Sequence, residues 1–121
     1  MTIISIKGSC NPKTRIGSYH VSVNGNHFSG TATDTTVNRM ELTALIEGIK
    51  MLKTNKERAT VHIVANSNYI PNGMHQFREY QKRNFYTTGG AKVANLDLWN
   101  ELIIQAKKKN IFIEANTMTR P

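Results

Sequence analysis

Apolar and polar residues alternate along the first third of the chain and then change period. Thr2–Ile6 alternates weakly and reads as a first strand. Tyr19-His20-Val21-Ser22-Val23 alternates and runs into Asn24-Gly25. That pair tolerates positive φ at both central turn positions, as a type I′ hairpin requires. Asn26–Thr33 is then the return strand. Residues 1–33 therefore predict an antiparallel hairpin with Thr2–Ile6 as a third strand.

The period becomes helical over residues 39–53, where Met40, Ala44, Leu45, Ile49 and Leu52 recur at three- and four-residue steps. Asn38 stands as N-cap with Glu41 at N3, the spacing of a capping box. Ala59–Val64 is β-branched and largely apolar, suited to a strand buried on both faces. Strand, helix, strand implies a right-handed parallel crossover. A short helix is expected from Ser67 or Asn68, with Pro71 in its first turn and Gly73 ending it. Met74–Arg83 predicts a second, with Phe77 and Tyr80 on one side. Asn95 caps a longer helix whose apolar face is Leu98, Trp99, Leu102, Ile103 and Ala106. Lys107-Lys108-Lys109 falls at its C-terminus, where cations complement the helix dipole. Ile111–Glu114 closes the pattern as a strand. The expected fold is a single α/β domain over residues 1–121, a mixed five-stranded sheet with flanking helices.

At 121 residues the chain builds one core, not two. No apolar run approaches a membrane span, and no signal-peptide pattern opens the sequence. Cys10 is the only cysteine, so no internal disulfide forms, and a reducing cytoplasm is expected. The net charge is +8. Residues 1–30 carry Lys7, Lys13 and Arg15 with no acid, and a second basic cluster falls in residues 75–110. Such a surface favours polyanions, nucleic acid among them. The plainer reading is a solvated cationic surface.

Several segments carry a resemblance. Asn38-Arg39-Met40-Glu41-Leu42 resembles the helix start of type 1 ribonuclease H, whose Glu is a metal-binding carboxylate. Lys7-Gly8-Ser9-Cys10-Asn11-Pro12 resembles that family's first-strand motif, Asp-Gly-Ser-Cys followed by Asn-Pro. Asn66-Ser67-Asn68-Tyr69-Ile70 is similar to its Asp-Ser-Gln-Tyr-Val, and Val93–Trp99 to a later helix start. The resemblance implies a ribonuclease H-like fold over nearly the whole chain. It also implies two Mg²⁺ ions held by a carboxylate cluster. Carried over by position, that cluster reads Lys7, Glu41 and Asn66, and the chain ends at Arg120-Pro121 before the segment of a last carboxylate and its helix. The expectation is a degenerate site, with Lys7 in an ion pair to Glu41, no cofactor, and no hydrolysis.

The same resemblance implies nucleic-acid contacts. Cys10, Asn11, Asn38 and Asn68 match positions that touch the RNA strand, and Thr36 matches a hydroxyl that grips a DNA phosphate. Phe77, Tyr80 and Phe85 stand for aromatic contacts to the DNA strand, and Lys82 and Arg83 for a basic protrusion. As residues alone, Asn11-Pro12 and Asn38 serve equally as turn and cap, and the aromatics as core. Three readings follow: a catalytically inactive protein that binds RNA/DNA hybrid or another duplex, a protein-interaction or inhibitor module, and a residual nuclease. A missing last helix would also leave Ile63, Ile111 and Ile113 short of cover, which predicts a homodimer or a protein partner over that face.

Overall fold

The computed structural model describes residues 2–53, 59–65, 67, 69, 70, 72, 73 and 94–114. Its elements run β1 (Thr2–Cys10), β2 (Gly17–Val23), β3 (Asn26–Ala32), α1 (Val37–Lys50), β4 (Ala59–Val64), α2 (Leu96–Lys109) and β5 (Ile111–Glu114). The strands form one five-stranded sheet in the order β3-β2-β1-β4-β5. β2 runs antiparallel to both β1 and β3, while β4 runs parallel to both β1 and β5. This is the expected mixed α/β sheet. No helix among the described residues is long and apolar enough to cross a membrane.

The hairpin forms as its sequence dictates. Asn24 and Gly25 both adopt positive φ, at 52° and 83°. β1 is longer than the alternation suggested, because Lys7–Cys10 continue the ladder and pair with Gly17–His20. Residues this polar join a sheet when their outward side chains meet water and their inward partner is glycine. Gly8 is that partner: a Cβ there would lie 2.8 Å from the Glu41 backbone nitrogen and 3.0 Å from the Val37 carbonyl oxygen.

The core lies between the sheet and α1. Ile4, Ile6, Val21 and Val23 face Leu42, Leu45, Ile46 and Ile49 in one apolar cluster, which Trp99, Leu102 and Ala106 of α2 extend. Burying an aliphatic side chain contributes about 1.5–3 kcal/mol, so this cluster fixes where α1 sits. Gly48 lets the helix approach the sheet closely, since a Cβ there would meet Val21 and Ile4 methyls at 2.8 and 2.9 Å.

Three expectations change. Thr36, not Asn38, is the N-cap of α1: its backbone is extended and its hydroxyl accepts from the Arg39 N–H. Glu41 therefore sits in the second turn and takes no part in capping. Asn95 precedes α2 as expected, but with left-handed backbone and no side-chain cap bond. Its amide is engaged elsewhere. Ile63, Ile111 and Ile113 are all buried. The apolar gap that predicted a homodimer or a covering partner is therefore not present at those residues.

Candidate active site and nucleic-acid interface

Glu41 is carried by α1 into the protein interior and is only 3 % exposed. The close contact at Gly8 brings its backbone against the C-terminal half of β1. A buried carboxylate needs donors. Here the Ser67 hydroxyl lies 2.8 and 2.9 Å from the two carboxylate oxygens and donates to them. The Tyr69 N–H donates in turn to the Ser67 oxygen at 3.3 Å, which aims the serine proton at Glu41. Burial pushes the Glu41 carboxyl pKa up, and the Ser67 hydrogen bond offsets part of that rise.

A second set of bonds holds this arrangement. Arg39, two residues before Glu41, clamps Asp97 at the start of α2 through paired bonds of 3.0 and 2.8 Å. It also reaches the Asn95 side-chain oxygen at 3.3 Å. Asn95 donates its amide to the Tyr69 hydroxyl at 3.0 Å, and Trp99 donates its indole N–H to the same oxygen at 3.3 Å. The Tyr69 and Trp99 rings lie 5.9 Å apart. The bond to Arg39 holds the Asp97 carboxyl below its ordinary pKa, and the same bond raises that of Arg39. The start of α1, Ser67 with Tyr69, and the start of α2 are thus one hydrogen-bonded unit around the carboxylate.

Lys7 is not part of it. Successive side chains of a strand point to opposite faces. Gly8 faces α1, so Lys7 projects from the other face of the sheet. Ion pairs among the described residues join Arg15 to Asp34, Arg39 to Asp97 and Lys50 to Glu47. The expected Lys7–Glu41 pair does not form, and Ser67 stands as the partner of Glu41 instead. Sequence reading missed Ser67, Arg39 and Asp97 as site residues. All three lie inside the motifs that carry the family resemblance, and a hydroxyl three residues past the end of β4 was the available signal.

Other candidate residues meet near the start of α1. Cys10 donates its thiol to the Thr35 carbonyl at 3.3 Å. Cys10, Pro12, Arg15, Thr35, Thr36 and Val37 line a hollow of about 250 Å³. Asn11 makes a turn, its side-chain oxygen accepting from the Lys13 and Thr14 N–H groups at 2.9 and 3.3 Å. Asn38 is exposed beside this hollow in the chain. Asn66, Asn68, Phe77, Tyr80, Lys82, Arg83 and Phe85 lie outside the described residues. Among the described residues no three His, Cys, Asp or Glu side chains converge. The described residues alone do not complete the oxygen-rich cluster that a pair of magnesium ions requires.

The sequence matches the RNase H family model over residues 2–115. A Ribonuclease H from Neisseria meningitidis is 44% identical over 101 residues, covering 78% of this chain and 67% of the relative. One from Francisella philomiragia is 38% identical over 109 residues, with 86% and 70% covered. One from Neisseria gonorrhoeae is 50% identical over 76 residues, with 62% and 50% covered. The chain thus spans from half to about two thirds or slightly more of these relatives' lengths. These matches correct the expectation of an inactive scaffold or mere interaction module. Relatives at 38–50% identity bear the name of the enzyme, so Lys7 and Asn66 are not read as loss of the family's activity.

Proposed function

We propose a function from one premise: the chain belongs to the ribonuclease H family. It binds RNA/DNA hybrid duplexes and cuts the RNA strand. The observation that carries this reading is Glu41, a carboxylate kept buried and aimed by a dedicated hydroxyl at the helix position where the family has its metal-binding Glu. Burying a carboxylate opposes folding unless it is satisfied. A chain using α1 only for packing would do better with an apolar residue there.

Recognition is assigned to the groups near the start of α1. Cys10, Asn11 and Asn38 face the RNA strand, where amides and a thiol meet the 2′-hydroxyl that distinguishes RNA from DNA. Thr36 accepts from Arg39 in its cap role and keeps its own proton to donate to a phosphate of the DNA strand. The proposed setting is the cytoplasm, since the single cysteine has no disulfide to form.

The test is a cleavage assay on end-labelled RNA/DNA hybrid, duplex RNA and duplex DNA, with Mg²⁺ or Mn²⁺ and with a chelator. Wild-type protein should cut only the RNA of the hybrid, and only with divalent cation. Glu41→Gln keeps the shape and the Ser67 contact but should lower the rate at least about 100-fold, the scale of losing one essential catalytic group. A wild-type protein that leaves the hybrid intact in every metal would sink the proposal.

A further inference from the structure

The sheet face turned away from α1 carries side chains that the site above does not use. Strand register sets which of them meet. Lys7 stands opposite His20, and His20 opposite Ser29. Ser9 stands opposite Ser18, and Ser18 opposite Thr31. The alternate positions Ile4, Ile6, Val21 and Val23 are buried against α1, and apart from Ile3 the side chains of this other face on β1–β3 are polar. Lys7, Ser9, His20, His27, Ser29 and Thr31 are all exposed on it.

An antiparallel sheet commonly shows one solvated face, and such a face ordinarily mixes both signs of charge. This one does not. β1, β2 and β3 contain no Asp or Glu at all. The surface is also shaped. A hollow of about 530 Å³ runs from Lys7 and Ser9 across β2 to Ser29 and Thr31. A second of about 360 Å³ reaches from Ser5 and Ser22 to Ala65. Lys7 and His20 line both, so the two form one trough around that pair. From β1 to β3 is two strand spacings, about 9–10 Å, which is room for more than one phosphate.

The polar groups are ordered among themselves. Ser9 and Ser18 hydroxyls are 2.9 Å apart. His20 places Nδ1 2.8 Å from the Ser29 hydroxyl and Nε2 3.0 Å from His27 Nδ1. A bond between two imidazole nitrogens holds one proton, which leaves two neutral arrangements. In the first, His20 donates to His27, and His27 presents Nε2–H outward. In the second, His27 donates to His20, His20 donates to Ser29, and the Ser29 hydroxyl is free to donate outward. Ser29 and Lys7 both line the larger hollow, so the second arrangement offers the trough a hydroxyl donor beside the Lys7 ammonium. An incoming anion selects the arrangement that serves it, and no carboxylate on these strands competes.

We infer that this outer face of β1–β3, centred on Lys7 and His20, binds the phosphodiester backbone of a nucleic-acid strand. An ammonium, imidazole N–H groups and hydroxyls suit phosphate oxygens. They suit a dication poorly, since Lys7 stands directly across from His20. The choice of nucleic acid over other polyanions rests on the function proposed above.

The test follows backbone amide and imidazole resonances of the full-length chain by NMR. Inorganic phosphate is titrated first, then a single-stranded DNA oligonucleotide, then RNA/DNA hybrid. Phosphate and oligonucleotide should both move the signals of His20, His27 and Ser29. Lys7→Ala should weaken oligonucleotide binding at least about fivefold and lower the magnitude of the log–log salt slope by about one. Thr31→Glu, an exposed change on β3, should do the same by placing an acid in the trough, and so guards against a Lys7 variant that misfolds. Hybrid binding with no movement on this face would overturn the inference and leave the proposed function standing. Movement on this face by a protein that cuts no hybrid would support the inference and overturn that function.

Discussion

Glu41 opposes the fold that holds it. Burial raises its carboxyl pKa above the ordinary value, so the folded chain holds that proton more tightly than the unfolded one does. The sign follows from linkage: stability falls as pH rises through the unfolded and then the folded pKa, and below both values the penalty vanishes. Glu41→Gln keeps an acceptor for Ser67 and removes the charge. It should raise Tm at pH 7 by about 3 °C, the size of a change somewhat under roughly 1 kcal/mol, and the gain should shrink toward pH 4. Thermal melts at the two pH values check this, and an equal gain at both would mean that charge burial is not the cause. Ser67→Ala works in the opposite direction. It strips the carboxylate of its side-chain donor and should destabilise the chain by about 1–3 kcal/mol at pH 7, with a smaller loss near pH 4. The motif around Ser67 was legible in the sequence, but the bond was not. A carboxylate's partner depends on where a distant strand end arrives, and no local pattern encodes that. The same holds for Lys7, whose place in the motif was plain while its face was decided by the close packing at Gly8.

At the scale of elements, α1 is positioned by glycine below and an ion pair at its start. A methyl at Gly8 would strike backbone atoms of Glu41 and Val37, which can move only if the helix moves. A methyl at Gly48 would strike side-chain methyls of Val21 and Ile4, which can shift a little. Gly8→Ala should therefore cost about 2–3 kcal/mol, the upper range for overpacking, and Gly48→Ala less. Urea unfolding of both variants gives the order, and the reverse order would show that β1 rather than α1 yields. The Arg39–Asp97 clamp is bidentate, yet its side chains are 33% and 65% exposed, so solvent screens it. A double-mutant cycle with Arg39→Ala and Asp97→Ala should give a coupling of about 1 kcal/mol that weakens in 1 M salt. Local chemistry announced β2, β3, β4, α2 and β5, because alternation, Asn24-Gly25 and helical period are short-range signals. It misplaced the cap of α1. The pattern pointed to Asn38, whereas the Thr36 hydroxyl takes the Arg39 N–H and starts the helix two residues earlier.

For the whole molecule the sheet divides the charge. One face packs on α1 and α2 around an apolar core, and the other is polar on β1–β3, strands that carry Lys7 and no Asp or Glu. The net charge of +8 was evident at once, but composition gives no direction to it; the register of β1, β2 and β3 gathers Lys7, His20 and His27 on one surface. If a nucleic-acid backbone runs from the hollow at Cys10 and Thr36 to that surface, several phosphates are neutralised together and their counterions released. Each such contact on a duplex contributes about −0.9 to the slope of log K against log salt concentration. With roughly three to four phosphates engaged, hybrid affinity should fall with a slope of about −3 to −4 between 50 and 200 mM salt, measured by fluorescence anisotropy with the metal withheld by chelator. Competing duplex DNA of the same length should share most of that slope, since phosphates carry no information on sugar type. The preference for hybrid should persist as an offset that salt hardly changes, because contacts to 2′-hydroxyls release no ions. A slope near zero would place the binding energy in neutral groove contacts and take the basic surface out of recognition altogether.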